Sequence, residues 1–422
     1  MKESQQTGKL AGVMAMLVLL AACGGGGGSD SQGAAQPPGA PPPSAPVLTT
    51  APTPSYADAL RMAAFNAVNA ERLKASLGAL RQSTVLDTAA GYHSNYLLLN
   101  PTSTPTYSED EGMPGYVADT PYARRTDAGY DVELGNGGEL LTANVSVGTD
   151  AALLMLAGPY HRAYLMGQSW TQMGWGFVPD ADGVGTLIGE VGLPRADTAQ
   201  GMTGSSSVYP ISNAADVPVM MANEQPAYPL PVAWGSNGYP GYPGYPVSVQ
   251  LPMDDIWTPG TFSLVETSSG AAVAGVVLDS TSAALTNFGI KTWAFFIPSA
   301  PLKPSTSYTA TFTATVDTHA FSKTWSFVTR GGTVTFTNVP RAAVAAAAGA
   351  TLNVKSASLM QTVANVTLSS QCGGATPHTV VSPGSIKLSL SGAVASGCAA
   401  TVVVDDLAYP SESNSLTVNF VP

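Results

Sequence analysis

PYHRAYLMGQSWTQMGWGF, residues 159–177, places His161 thirteen residues before the triplet Gly174-Trp175-Gly176. Ahead of it, AALLMLAG (151–158) is an apolar stretch that reads as a helix. Thr149-Asp150 suits its N-cap, and Gly158-Pro159 terminates it. Behind it, MGWGFV (173–178) and GTLIGEVGL (185–193) are short segments that read as strands. A helix, a lone histidine, a turn and then strands predict a mixed α/β layered domain in which His161 sits at the change of element.

Working outward, AFNAVNAERLKASLGALRQSTVLDTAAGYHSNYL (64–97) carries two helical patterns. Phe65, Val68, Asn69 and Arg72 recur at i, i+3, i+4 and i+7, one face of a first helix, which Gly78 breaks. Leu86, Ala90, His93 and Leu97 repeat the pattern in a second helix that Asn100-Pro101 ends. His93 is therefore expected on a buried face. Residues 101–121 read as a loop rich in Pro, Ser, Thr and acids.

Taken with the tripeptide Gly138-Glu139-Leu140, these segments resemble the CAP superfamily (cysteine-rich secretory proteins, antigen 5, pathogenesis-related 1) in a cysteine-poor bacterial form. The resemblance implies a cleft lined by two histidines and two glutamates, which in some members bind Zn²⁺. Carried over, His93 is the first histidine, Glu139 the first glutamate and His161 the second histidine. Neutral imidazoles with a nearby carboxylate are suitable ligands for a borderline metal; the alternative, preferred on the residues, is structural, with His93 and Glu139 hydrogen-bonded to each other and His161 to backbone. The second glutamate has no counterpart on AALLMLAGPY, where the only nearby acid is Asp150, and Leu140 replaces an asparagine.

The chain ends bound the setting. LAGVMAMLVLLAA (10–22) is too short to span a bilayer but suits a signal-peptide core. Leu20-Ala21-Ala22-Cys23 resembles a lipobox, so residues 1–23 read as a lipoprotein signal with Cys23 lipidated. The tract 24–55, rich in Gly, Pro and Ser, reads as a flexible tether. By its resemblance to Gram-negative lipoprotein sorting signals, Gly24 in place of an aspartate after the cysteine implies the outer membrane or cell surface. Cys372 and Cys398 remain as a pair and predict a disulfide in an oxidising compartment.

Beyond the predicted CAP domain (56–195) and a linker (196–208), the pattern turns to period two. In TSYTATFTATVD (306–317), Tyr308, Ala310, Phe312, Ala314 and Val316 alternate with a threonine ladder. With KTWSFVT (323–329) it resembles the last hairpin of bacterial Ig-like domains, which bounds a sandwich at 209–330. The Tyr-Pro-Gly tract at 237–250 has two readings, a carbohydrate- or peptide-binding aromatic patch and, preferred, an extended lead into a strand. Residues 331–422 hold further strand patterns and read as a second β-sandwich. The fold class is thus multidomain: an α/β layered CAP sandwich followed by one or two all-β Ig-like sandwiches.

No Lys/Arg cluster exists and the formal net charge is −11, which argues against nucleic acid as a partner. No HExxH or GxSxG occurs; Gly167-Gln168-Ser169-Trp170 lacks the final glycine. Gly24–Gly28 follows the lipid site, not a strand, and His319 and His378 are isolated. No catalytic residue is assigned. Three readings stand. The first is a membrane-anchored, non-enzymatic protein that binds a lipid, wall component or protein through the CAP cleft. The second is a metal-assisted hydrolase using His93, Glu139 and His161 with Zn²⁺. The third is an adhesion or scaffold protein acting through its sandwiches.

Overall fold

The computed structural model describes residues 47–102, 105–194, 206–222, 242–252 and 255–422, with only the backbone within 132–136. Cys23, the signal segment, most of the tether and most of the 196–208 linker lie outside the described residues. The last tether residues are not free: Ala79 N donates to Leu48 O at 2.9 Å and Ser55 N to Gln82 Oε1 at 2.6 Å. The linker also ends earlier than expected, because Ser207–Tyr209 is already a strand.

The first module comprises α1 (Ala59–Lys74), β1 (Arg81–Gln82), α2 (Thr84–Leu99), α3 (Pro121–Asp127) and β2 (Val132–Val145). It continues with α4 (Gly148–Leu156), α5 (Pro159–Leu165), β3 (Gln172–Phe177) and β4 (Gly185–Pro194). The strands form one sheet in the order β1-β3-β4-β2. Helix α1 starts at Asp58, whose side chain accepts from Arg61 N, and buries Phe65, Val68, Asn69 and Arg72, the face its spacing predicts. It stops before Gly78: Ser76 takes a positive φ of 59° and turns the chain.

Helix α2 lies on one face of the sheet because Gly174 and Gly176 leave room for it. A Cβ on Gly174 would stand 2.4 Å from Asp87 N, and one on Gly176 2.2 Å from Ala90 C. Trp175, between them, points the other way and is fully buried with Phe65, Val68, Met155, Leu156, Leu187 and Val191. The N-cap expected at Thr149-Asp150 is not one. Helix α4 begins sooner, at Gly148 after an N-cap at Val147, and Gly148 lies against α1, where a Cβ would meet Leu60 O at 1.9 Å. Two elements were not expected: the long strand β2, and α3, capped by Thr120 with Pro121 behind it at the end of the segment read as loop.

The second module is a sandwich of two four-stranded sheets. One is β5-β7-β10-β9 (Ser207–Tyr209, Val247–Gln250, Trp293–Pro298, Gly275–Leu278). The other is β6-β12-β11-β8 (Ala214–Val217, His319–Thr329, Ser307–Val316, Trp257–Glu266). Along β11, Tyr308, Ala310, Phe312 and Ala314 are buried, while Thr309, Thr311 and Thr313 are not. Asp317 and Thr318, both at positive φ, close the β11–β12 hairpin. Residues 331–422 form a second sandwich, again of two four-stranded sheets, with its own apolar core. Cys372 and Cys398 are disulfide-bonded inside it, both buried.

The first two modules share one apolar core, which runs from Phe65 and Leu156 through Tyr209 and Val249 to Phe262. Ala222 N donates to Ala157 O at 3.2 Å and Gln168 Nε2 to Leu251 O at 3.0 Å across this junction. The second sandwich reaches back to the first module through Ser146–Ser385 (Oγ to Oγ, 2.7 Å) and through Lys387 Nζ, which donates to Asp182 O at 2.9 Å.

Candidate functional site

His93 lies on the buried face of α2, as its spacing predicts, with no solvent exposure. Its Nδ1 is 2.8 Å from Glu139 Oε1, while its Nε2 is buried without a hydrogen-bond partner in the described residues. Glu139 comes from the middle of β2, paired with Glu190 of β4, which is in turn paired with Gly174 of β3. Residues directly opposite in a sheet share a face. Both carboxylates therefore stand on the face that Gly174 opens to α2, which is why a helical histidine can reach one of them.

Two arginines from α3 complete this layer. Arg124 Nη2 donates to both oxygens of Glu139, at 2.8 and 3.0 Å, and lies 3.2 Å from His93 Nδ1. Arg125 Nη1 donates to Glu190 Oε2 at 2.7 Å. Glu109 is buried beside them, 3.5 Å from Arg124 Nη1, and accepts from Val117 N. Burial alone would raise the Glu139 carboxyl, but His93 and Arg124 hold it below the usual carboxylate range. Burial pushes Glu190 well above that range despite Arg125, and the neighbouring Glu139 adds to the rise. The pair is thus pushed apart, Glu139 towards the charged form and Glu190 towards the protonated one.

His161 joins through a tyrosine. Tyr107 Oη is 3.0 Å from His161 Nε2, and Arg124 Nη2 donates to the Tyr107 carbonyl at 2.8 Å. Burial lowers the imidazole to about 4, so it is neutral at neutral pH. Arg162, the next residue, turns away into the neighbouring sandwich. Its guanidinium lies 4.9 Å from the ring centres of both Tyr209 and Tyr245, and it donates to Pro246 O at 2.6 Å. The His-Arg dipeptide therefore serves the site with one residue and the module junction with the other.

The expected trio is only partly assembled: His93 and Glu139 touch, and His161 is linked to them through Tyr107 and Arg124. Asp150 takes no part, since its carboxylate lies against Gly384 of the second sandwich. The second buried glutamate is Glu190, from a strand and not from the helix before His161. Sequence reasoning missed Arg124, Arg125, Glu109, Glu190 and Tyr107. Thr120-Pro121 followed by two adjacent arginines was the available signal for α3.

A Zn²⁺ ion does not fit this arrangement. Among the described residues no group of three or more His, Cys, Asp or Glu side chains is placed to hold one. Both oxygens of Glu139 face the Arg124 guanidinium, and His161 Nε2 faces Tyr107. A dication here would sit against a fixed guanidinium and gain little from a carboxylate already neutralised. Arg124 supplies the positive charge that a metal would otherwise bring.

Residues 65–189 match the model of the cysteine-rich secretory protein family, CAP. Among solved structures, an outer surface protein of Borrelia burgdorferi is 18% identical over 31% of this chain and 90% of that one, with a TM-score of 0.27. An extracellular protein of Bacillus anthracis containing an SCP domain is 22% identical over 31% of this chain and 38% of its own, with a TM-score of 0.26. Fibronectin(III)-like modules of Clostridium thermocellum CbhA are 10% identical over 51% and 93%, with a TM-score of 0.19. No curated protein matches the sequence. The α/β layers that carry His93, Glu139 and His161 form a CAP domain, and two β-sandwiches follow it.

Proposed function

We propose that this is an extracytoplasmic, lipid-anchored CAP protein that binds a ligand without turning it over. The observation that carries the reading is the saturation of Glu139 and His161: Arg124 occupies the Glu139 carboxylate and Tyr107 occupies His161 Nε2. A general base must come within hydrogen-bond reach of a substrate proton. Neither group is presented that way, and His93, Glu139 and His161 are all buried. The ligand classes that suit the CAP module are a lipid, a wall component or another protein.

Anchoring rests on Cys23 and the apolar run before it. Among the described residues no helix is long and apolar enough to cross a membrane. The disulfide between Cys372 and Cys398 fits an oxidising compartment. Cys23→Ser should move the protein from the membrane fraction to the soluble one. That soluble chain, tested by co-sedimentation with phosphatidylglycerol vesicles and with purified peptidoglycan, is expected to bind one of them and to leave peptide and ester substrates intact. Turnover of either substrate that disappears in His161→Ala would overturn the non-enzymatic reading.

A further inference from the structure

A second site lies away from the histidines, where the turn after α5 faces the first sandwich. A cavity of about 250 Å³ opens there. That is slightly under the roughly 300–1,000 Å³ of pockets for drug-sized ligands, which suits one ring-sized group. One wall is aromatic. Tyr164 and Trp170 lie parallel to within 13°, with ring centres 6.2 Å apart, and both are half-buried. Phe288, 39% exposed, faces them from the sandwich.

These rings are held in place by glycines. A Cβ on Gly138 would stand 2.4 Å from Tyr164 Cδ1, and one on Gly167 2.6 Å from Trp170 Nε1. Each ring therefore rests directly on backbone, and the platform exists before any ligand arrives. Tyr164 is placed further by its hydroxyl, which donates to Phe288 O at 3.4 Å. Pre-formed platforms of this kind avoid the ordering cost of binding.

The rim is polar and its charge is unusual for this protein. Among the described residues that line the cavity, Lys291 is the one charged side chain, and no carboxylate is present. Lys291 is exposed, in a chain whose formal net charge is −11. Ser169 and Thr292 add hydroxyl groups beside it. Flat aromatic faces next to hydroxyl and ammonium groups match a ring that is apolar on one face, hydroxylated at its edge and negatively charged. A fatty acyl chain would leave that polar rim unpaired, and a neutral sugar would leave the ammonium unused.

We propose that this cleft binds a uronate residue of an acidic polysaccharide, its ring stacked on Trp170 and Tyr164 and its carboxylate paired with Lys291. The site is separate from the His93–Glu139 network, so it stands or falls independently of the CAP-cleft reading.

Calorimetry on the soluble Cys23→Ser chain tests it, with tetragalacturonate, a neutral maltotetraose and a polyglutamate peptide as titrants. Tetragalacturonate should bind, and the other two should bind at least about tenfold more weakly. Lys291→Met, a surface change that leaves the melting temperature unaltered, should reduce tetragalacturonate affinity to the maltotetraose level. Trp170→Ala should weaken it by at least about tenfold; Trp170→Phe, which keeps a flat face and guards against misfolding, should retain most of it. Failure of tetragalacturonate to bind, equal binding by polyglutamate, or unchanged affinity in Lys291→Met would each overturn the proposal.

Discussion

The central sheet of the CAP domain has two faces built by alternate residues of the same strands, and they are buried by different means. One face presents Leu140, Met173, Trp175, Leu187 and Val191 to an apolar core. The other presents Glu139, Glu190 and several glycines to α2 and α3, which answer with His93, Arg124 and Arg125 beside a small apolar cluster of Ile188 with Ala90, Tyr96 and Leu97. Apolar packing is non-directional, so many arrangements of similar volume satisfy the first face. Buried charges need their particular partners, so the second face has one solution. The first face supplies stability. The second specifies where α2 and α3 must lie, and through Tyr107 it also fixes the segment that covers His161.

The largest effect should come where the second face meets α2 directly. Gly176→Val forces a side chain into the α2 backbone at Ala90, and no flexible group can yield. Destabilisation above about 4 kcal/mol is expected, with no cooperative near-UV unfolding transition for the domain. A folded, soluble Gly176→Val would mean that α2 is free to lift off the sheet and that the polar face is not tightly specified.

Next come the anchors of each face, compared by urea unfolding. Trp175→Ala should cost about 3–5 kcal/mol, and Trp175→Leu clearly less, because an apolar core partly refills. Arg124→Met should cost a similar ~3–5 kcal/mol by leaving Glu139 buried and uncompensated. Arg124→Lys should not recover it, since one ammonium cannot place donors at both Glu139 and the Ala118 carbonyl, which Nη2 and Nη1 reach separately. Full rescue by lysine would blur the distinction between the faces.

A smaller, pH-dependent effect isolates His161. Its folded value of about 4 lies below the ordinary 6.5, so the unfolded chain binds the proton more readily. The stabilisation is present above pH 6.5 and is lost as the pH falls towards 4, by on the order of 3 kcal/mol. His161→Gln should flatten that part of the stability profile. An unchanged slope between pH 6.5 and 4 in this variant would show that the imidazole is not buried. Glu190 contributes with the opposite sign, because its raised value makes the folded state the better proton binder as pH climbs above 4.5.

The smallest effect belongs to the first sandwich, where the same alternation occurs without charge. Phe312 is buried on one face of β11, while the Thr311 hydroxyl meets that of Thr324, at 3.1 Å on an exposed surface. Thr311→Ala should change thermal stability by less than about 0.5 kcal/mol. A larger loss would give the threonine ladder a role beyond solvation.

The sequence by itself determined the elements whose burial follows a local period. The apolar spacing of α1 and α2, with His93 on the inner face, is legible because a helix brings i, i+3, i+4 and i+7 together wherever it lies. The two-residue alternation of β11 and β12 is legible for the same reason, and two lone cysteines in one C-terminal segment suggest their own pairing. What sequence alone did not decide were the partners and the close approaches. Arg124 meets Glu139, and Arg125 meets Glu190 across 65 residues, because β2, β4 and α3 converge; no local pattern encodes such a meeting. Strand β2 runs through Gly135-Asn136-Gly137-Gly138, a poor strand former in isolation, and is held by pairing with β4. Gly148, Gly174 and Gly176 look like ordinary small residues until a neighbouring backbone is seen to occupy the space of their missing side chains. Periodicity is a property of the chain, whereas charge pairing and steric room depend on what the fold places opposite, and the buried polar layer of this CAP domain depends on both.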